Sequence, residues 1–211
     1  NHVDPIADFQ KMGQRGYSTV HLAYGETGPT VGYLVGEPHK GLSYMFQMMN
    51  GARIDVGLTA ASTAVAAYYA SLQYAHERKQ GRRIQNAGEA EDTSQTTIIK
   101  HPDVRRMLLS QKAVNEGALS LLIECSMLHD IASASPFNEE RHEAHLLLEL
   151  LTPMAKAYPS EACRESINNG LQILGGYGYF MDFSLQQYLR DIRIMSIYEG
   201  TTGIQGLDLL S

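Results

Sequence analysis

From Gly41 onward the non-polar positions fall at steps of three and four: Leu42, Phe46, Met49, Val56, Ala60, Ala67, Ala70 and Tyr74, with Arg53 and Thr63 on the same line. That spacing predicts one long helix ending near Gly81. Its small residues Ala60, Ala61, Ala64 and Ala67 allow a neighbouring helix to approach closely, as in a bundle interior or a subunit interface. The polar, unpatterned stretch from Arg82 to Thr97 reads as a loop. A second helix is predicted from Pro102, which suits a first helical position, with Asp103 at the positive end of the dipole. Its stripe is Met107, Val114, Ala118, Leu121, Cys125, Leu128 and Ala132, and Ser133-Ala134-Ser135-Pro136 ends it. A third helix starts near Asn138, with a kink or interruption expected at Pro153. Pro159-Ser160 starts a fourth, closed at Gly175-Gly176, where glycine can take a left-handed cap. A short helix around Leu185 to Arg190 and a helix-like end from Thr201 to Leu210 follow.

Before Gly41 the period is different. Glycine-rich text carries two β-prone pieces, Ser18 to Leu22 and Thr30 to Val35, separated by Gly25-Glu26-Thr27-Gly28-Pro29. Two strands and a turn are expected, and a hairpin of that size is marginal alone, so it must dock on something. The fold class that results is mainly α: an up-and-down four-helix bundle with a short N-terminal β remnant. Residues 1–40 form the β tail and residues 41–211 the helical domain. The chain opens on Asn1 without an element to pair with, and it reads as a fragment of a longer protein.

Composition narrows the partners. The formal charge of -6 argues against a nucleic-acid partner, which needs a concentrated basic surface. No apolar run approaches the roughly 18 residues of a membrane span, and no signal-peptide layout opens the chain. The two cysteines, Cys125 and Cys163, lie in helical stretches and read as small buried hydrophobes rather than a disulfide. A cytoplasmic protein is expected.

Several constellations bear on chemistry. His142-Glu143-Ala144-His145 places its histidines three apart instead of the four that a zinc-binding helix needs, so no metal is expected there. Gly176-Tyr177-Gly178 ends a helix, whereas a dinucleotide fingerprint opens one. Arg78, Arg82 and Arg83 crowd the end of the first helix, where cations meet the dipole; they serve either as a helix cap or as a phosphate clamp, and the pattern does not choose.

Three separated stretches then carry a resemblance. They are Tyr74-Ala75-His76-Glu77-Arg78-Lys79-Gln80-Gly81-Arg82, then Gln172-Ile173-Leu174-Gly175-Gly176-Tyr177-Gly178-Tyr179, then Arg190-Asp191-Ile192-Arg193 followed by Tyr198-Glu199-Gly200-Thr201. In order and spacing they resemble the acyl-CoA dehydrogenase family from about Lys11 to the end of the chain. Residues 1–40 look like the end of the family's middle β-domain and residues 41–211 like its C-terminal helical domain. Lys100 to Leu108 is similar to the branch that includes long-chain-like bacterial enzymes and 3-methylmercaptopropionyl-CoA dehydrogenase.

The resemblance implies α,β-dehydrogenation of an acyl-CoA thioester, with proton removal by Glu199 and hydride transfer to N5 of FAD. A carboxylate becomes a stronger base once substrate closes the pocket to water. Gly200 beside it would bring the backbone close to the substrate thioester. Arg78 and Gln80 would reach the FAD pyrophosphate, with Gln172, Gly175 and Gly176 along the adenosine end. Thr201 and Gly203 would sit near the flavin. Two positions depart from the family pattern: Gln80 replaces a phenylalanine neighbourhood, and Gly203 stands where many members have a polar side chain. The implied partners are an electron-transferring flavoprotein and further copies of the chain, in a homodimer or homotetramer. An acyl-CoA oxidase, and a non-catalytic relative serving assembly or nucleic-acid binding, remain the alternatives. A fragment lacking the rest of the pocket is expected to be inactive alone.

Overall fold

The computed structural model describes residues 2–83 and 94–210; residues 84–93 of the expected loop lie outside the described residues. Three long helices, α1 (Gly41–Glu77), α2 (Pro102–Ala134) and α3 (Asn138–Leu174), pack on one another. The three residues between α2 and α3 force those two into an antiparallel hairpin. A short helix α4 (Leu185–Ile192) lies against α3 and α1, and the terminal helix α5 (Thr202–Leu210) lies against α3. The mainly helical bundle with a small N-terminal sheet is the architecture that the sequence predicts.

The alanine face of α1 does what its small residues allow. Ala60, Ala61, Ala64 and Ala67 are all fully buried, packed with Ala118, Leu122 and Cys125 of α2 and with Ala155, Cys163 and Ile167 of α3. The first turns of α1 differ: Leu42 and Phe46, on the predicted stripe, are exposed. Polar groups within the interior are tied to one another: Asn115 donates to the Ala64 carbonyl at 3.1 Å and accepts from Ser166 at 2.9 Å. A buried amide linked to two other helices fixes their register at little cost, because its bonds replace those lost to water.

The expected third and fourth helices are one. α3 runs without interruption through Pro153 and Pro159. Each proline removes an N–H from the ladder and releases the carbonyl four residues before it. Pro159 releases that of Ala155, and this carbonyl faces Gly57 of α1, where a β-carbon would come within 2.1 Å of its oxygen. Tight packing on α1 compensates for the lost bond, so the helix continues where the local rule predicts a break.

The N-terminal strands also differ from expectation. β1 (Val3–Asp8) pairs antiparallel with β2 (Val20–Tyr24), with an irregularity between Pro5 and Ala7, where proline can donate no ladder bond. Thr30 to Val35 is not a strand. The Gly25 to Pro29 turn instead folds back across the start of β1, where Thr30 donates to the His2 carbonyl at 2.6 Å and Thr27 to Asp4 at 2.8 Å. The tail docks through Met12 to Gln14: the Gln14 N–H donates to Asp191 at 2.5 Å, and Arg190 donates to the Met12 carbonyl at 3.2 Å. Gly13 lies too close to the Arg190 backbone, at 2.5 Å for an added β-carbon, to be anything larger. Arg190 and Asp191 therefore fasten the β tail to the bundle.

Both cysteines are free and buried, and burial pushes the Cys163 thiol up to about 12. Among the described residues no helix is long and apolar enough to cross a membrane.

Candidate functional site

The residues singled out from the sequence form two groups. Arg78, Gln80, Gln172, Gly175 and Gly176 line one cleft of about 570 Å³, together with Tyr74, His101, Tyr177 and Phe180. Glu199, Gly200, Thr201 and Gly203 lie elsewhere, at the entry to α5.

The cleft is built where α1 and α3 end. The α1 ladder stops at Glu77 and the backbone of Arg78 turns extended, its carbonyl accepting from Ile98 at 2.9 Å. Gln80 pairs with Thr96 at 3.0 Å, and the His101 ring contacts the Gln80 carbonyl at 2.7 Å. Across the cleft α3 ends at Gly175, whose φ of 59° and ψ of -137° lie outside the left-handed helical well expected for this cap. That backbone region is essentially reserved for glycine. Gly176 meets nothing within 4 Å of where a β-carbon would stand, so the turn presents bare backbone. The Arg78 guanidinium carbon lies 5.6 Å from the centre of the Tyr177 ring, and its Nε is buried with no partner among the described residues. Arg78 thus lines the cleft, whereas Arg82 and Arg83 are exposed beyond the helix.

The second group sits on strained backbone. Glu199 has φ 53° and Gly200 φ 89°, two successive residues in the left-handed half of the map. For glutamate this conformation is costly, on the order of 1–3 kcal/mol, and persists only where surrounding contacts dictate it. Glu199 is half-buried, and its carboxylate makes no hydrogen bond or ion pair to any described residue. At its φ of 89° Gly200 holds a backbone that other residues rarely adopt, and a β-carbon there would come within 2.5 Å of Gln205 Nε2 and displace that amide. Thr201 caps α5: its hydroxyl accepts from the Ile204 N–H at 3.3 Å and its carbonyl from the Gln205 N–H at 3.0 Å. Gly203 is exposed on the first turn of α5. Beside Glu199, burial raises the Tyr198 phenol above its ordinary range, with an opposing hydrogen bond from Gln14.

Sequence reasoning missed the residues that hold this loop. Lys156, fully buried on α3, donates from Nζ to the Gly200 carbonyl at 2.5 Å. Gln205 donates to the carbonyls of Glu199 and Gly200 at 3.2 and 3.3 Å. Ser160 donates to the Met195 carbonyl at 3.1 Å, and Thr202 to Glu161 at 2.9 Å. A signal was present in Thr152, Lys156 and Ser160, a polar row at four-residue steps whose members are all buried. The histidine pair on α3 shows no such construction: His142 is exposed, and His145 pairs with Glu149 at 3.4 Å.

Residues 39–210 match the family described as acyl-CoA dehydrogenase, C-terminal domain. The chain belongs to the acyl-CoA dehydrogenase family. It is 42% identical over 200 residues to the 3-methylmercaptopropionyl-CoA dehydrogenase of Ruegeria pomeroyi, covering 95% of this chain and 33% of that protein. It is 38% identical over 200 residues to a broad-specificity linear acyl-CoA dehydrogenase of Mycobacterium tuberculosis, again covering 33% of that protein and 94% of this chain. Among solved structures, Caenorhabditis elegans ACDH-11 in complex with C11-CoA superposes with a TM-score of 0.81 over 99% of this chain and 32% of that one; at 23% identity this likeness concerns the fold. The chain thus spans about a third of the length of these relatives. Within this acyl-CoA dehydrogenase domain, one group lies where α1 and α3 end and the other lies against the middle of α3, at Lys156 and Glu161.

Proposed function

We propose that this chain is the C-terminal helical domain, with the end of the middle β-domain, of an FAD-dependent acyl-CoA dehydrogenase whose catalytic base is Glu199. The observation that carries the reading is the Glu199 carboxylate itself, half-buried, without a hydrogen bond or ion pair among the described residues, and held on a backbone that glutamate adopts only under constraint. Strain retained at a polar side chain with no structural partner is characteristic of residues kept for chemistry.

The family is FAD-dependent, and the residues present suit the adenosine diphosphate half of that cofactor. A guanidinium whose buried Nε has no partner among the described residues answers a pyrophosphate, Tyr177 and Phe180 offer aromatic faces, and the Gly175-Gly176 turn leaves backbone open to close approach. Arg78 and Gln80 would hold the pyrophosphate; Gln172, Gly175 and Gly176 would line the adenosine end. Thr201 and Gly203 would face the flavin ring. When bound, FAD supplies the acceptor for the hydride leaving the β-carbon of the substrate. Glu199 takes the α-proton as that hydride leaves, and the backbone at Gly200 faces the thioester. The product is a trans-enoyl-CoA, and the electrons pass on to an electron-transferring flavoprotein.

In the full-length protein, flavin absorbance is followed while saturated acyl-CoAs from butyryl- to palmitoyl-CoA are added. At least one should bleach the flavin. Glu199→Gln should keep the flavin and lose bleaching by about 1,000-fold or more, the scale of a missing general base. A native rate in Glu199→Gln would assign the base elsewhere. The isolated chain with added FAD should not turn over any of these substrates, since the rest of the pocket is carried by other domains.

A further inference from the structure

The loop bearing Glu199 is held from beneath by two buried donors, and neither has another structural task that requires its chemistry. Lys156 is 0% exposed, and its ammonium makes one hydrogen bond, to the Gly200 carbonyl at 2.5 Å, and no ion pair to any described residue. Burial, the Arg53 charge and, in the opposite direction, Glu161 and Glu199 act on it, with burial strongest and the net effect lowering its pKa. A buried cation without a carboxylate partner is expensive, and an apolar side chain of the same length would stabilise the fold better. Gln205, 1% exposed, uses its NH2 on both the Glu199 and Gly200 carbonyls while its Oε1 is buried without a partner among the described residues. An amide that satisfies half of itself carries a similar cost.

Resting on the reading of Glu199 as the base, we propose that Lys156 and Gln205 are positioning residues that impose the left-handed backbone at Glu199 and Gly200 and so aim the Glu199 carboxylate. The three donated bonds converge on two adjacent carbonyls, and their directions fix both peptide planes. Neighbouring contacts anchor the rest of the loop on the same face of α3: Ser160 holds the Met195 carbonyl and Glu161 receives the Thr202 hydroxyl. The carboxylate makes no hydrogen bond to any described residue, so its direction is set by its main chain and by the field of the Lys156 ammonium, which it feels in turn.

The test uses the full-length holoprotein and the acyl-CoA that bleaches it fastest. Lys156→Met keeps the stem and removes the donor and the buried charge; it should fold as well as the parent. Gln205→Met removes the second donor independently. Each should slow flavin bleaching by about 100-fold, the cost of an ångström-scale misplacement. Flavin content and half-saturating substrate concentration should stay unchanged. Because both residues act through Glu199, Lys156→Met combined with Glu199→Gln should be no slower than Glu199→Gln alone. Native bleaching rates in both single variants, losses that merely track lost flavin, or further slowing in the double variant would each overturn the proposal. A parent that bleaches no faster than Glu199→Gln removes the base itself, a distinct failure that leaves these residues nothing to position.

Discussion

Gly57 of α1 faces the carbonyl oxygen of Ala155 on α3, so closely that a β-carbon on Gly57 would stand 2.1 Å from it. The same added carbon would meet Leu122 of α2 at 2.8 Å. In an isolated helix alanine is better than glycine by about 1 kcal/mol. Here the clash is with backbone, which cannot rotate aside, and the three helices must part. Gly57→Ala is expected to lose about 2–3 kcal/mol despite its better helix propensity. Thermal unfolding of the protein reads this as a melting temperature several degrees lower. The displacement begins one residue from Lys156, so flavin bleaching should slow as well.

Arg53 and Asp208 tie α1 to the end of α5 at 2.5 Å. Arg53 is 4% exposed, with its Nε buried and without a partner among the described residues. Removing the carboxylate leaves the guanidinium buried, whereas replacing both partners with apolar groups does not. Since the Asp208 side chain is 43% exposed, water offsets part of the loss. Asp208→Ala should cost about 1–2 kcal/mol. Arg53→Met combined with Asp208→Ala should recover some of it. Equal losses in the single and double variants, read by melting temperature, would contradict this balance.

The helices α1 and α2 were legible because apolar residues recur at steps of three and four from Leu42 to Tyr74 and from Met107 to Ala132. The continuity of α3 was not, since proline announces a local break and the compensation at Pro159 comes from Gly57, far away in the chain. The β1 partner of β2 was hidden for a related reason: Val3-Asp4-Pro5 looks poor as a strand, and only the fold-back of Thr27 and Thr30 shows why the later segment cannot pair. The motif residues could be found by resemblance. Lys156 and Gln205 could not, because a buried lysine and a half-satisfied glutamine gain meaning only beside the two carbonyls they hold.

Cys163 gives the fold an alkaline limit. The unfolded chain releases this thiol proton near 9.0, the folded chain near 12. Between these pH values the unfolded state binds fewer protons than the native state, so stability falls as pH rises. The contribution is fully present below pH 9.0 and is lost toward pH 12, at no more than about 1.4 kcal/mol per pH unit. Cys163→Ala removes this dependence; Tyr198, also raised, acts alike in parent and variant. Melting temperatures compared across that window should therefore fall more steeply for the parent. Parallel curves would mean that the thiol ionises without unfolding.

Arg78 provides the sharpest test of the cleft as a cofactor site. Its guanidinium lies over the Tyr177 ring with an Nε that no described residue satisfies, so the fold gives it cost and little return. A bound pyrophosphate would reverse that balance through charge-assisted hydrogen bonds worth about 1.5–3 kcal/mol. Arg78→Ala in the full-length protein should then weaken FAD binding by about 10- to 100-fold, measured by equilibrium dialysis against the apoprotein. Arg78→Lys should recover only part, since a lysine restores the charge without the planar fork. Arg82→Ala, whose side chain is exposed beyond the cleft, serves as the matched control and should bind FAD as the parent does. If Arg78→Ala binds FAD with parental affinity, Arg78 is no more than the end of α1. The FAD site must then be sought away from this turn.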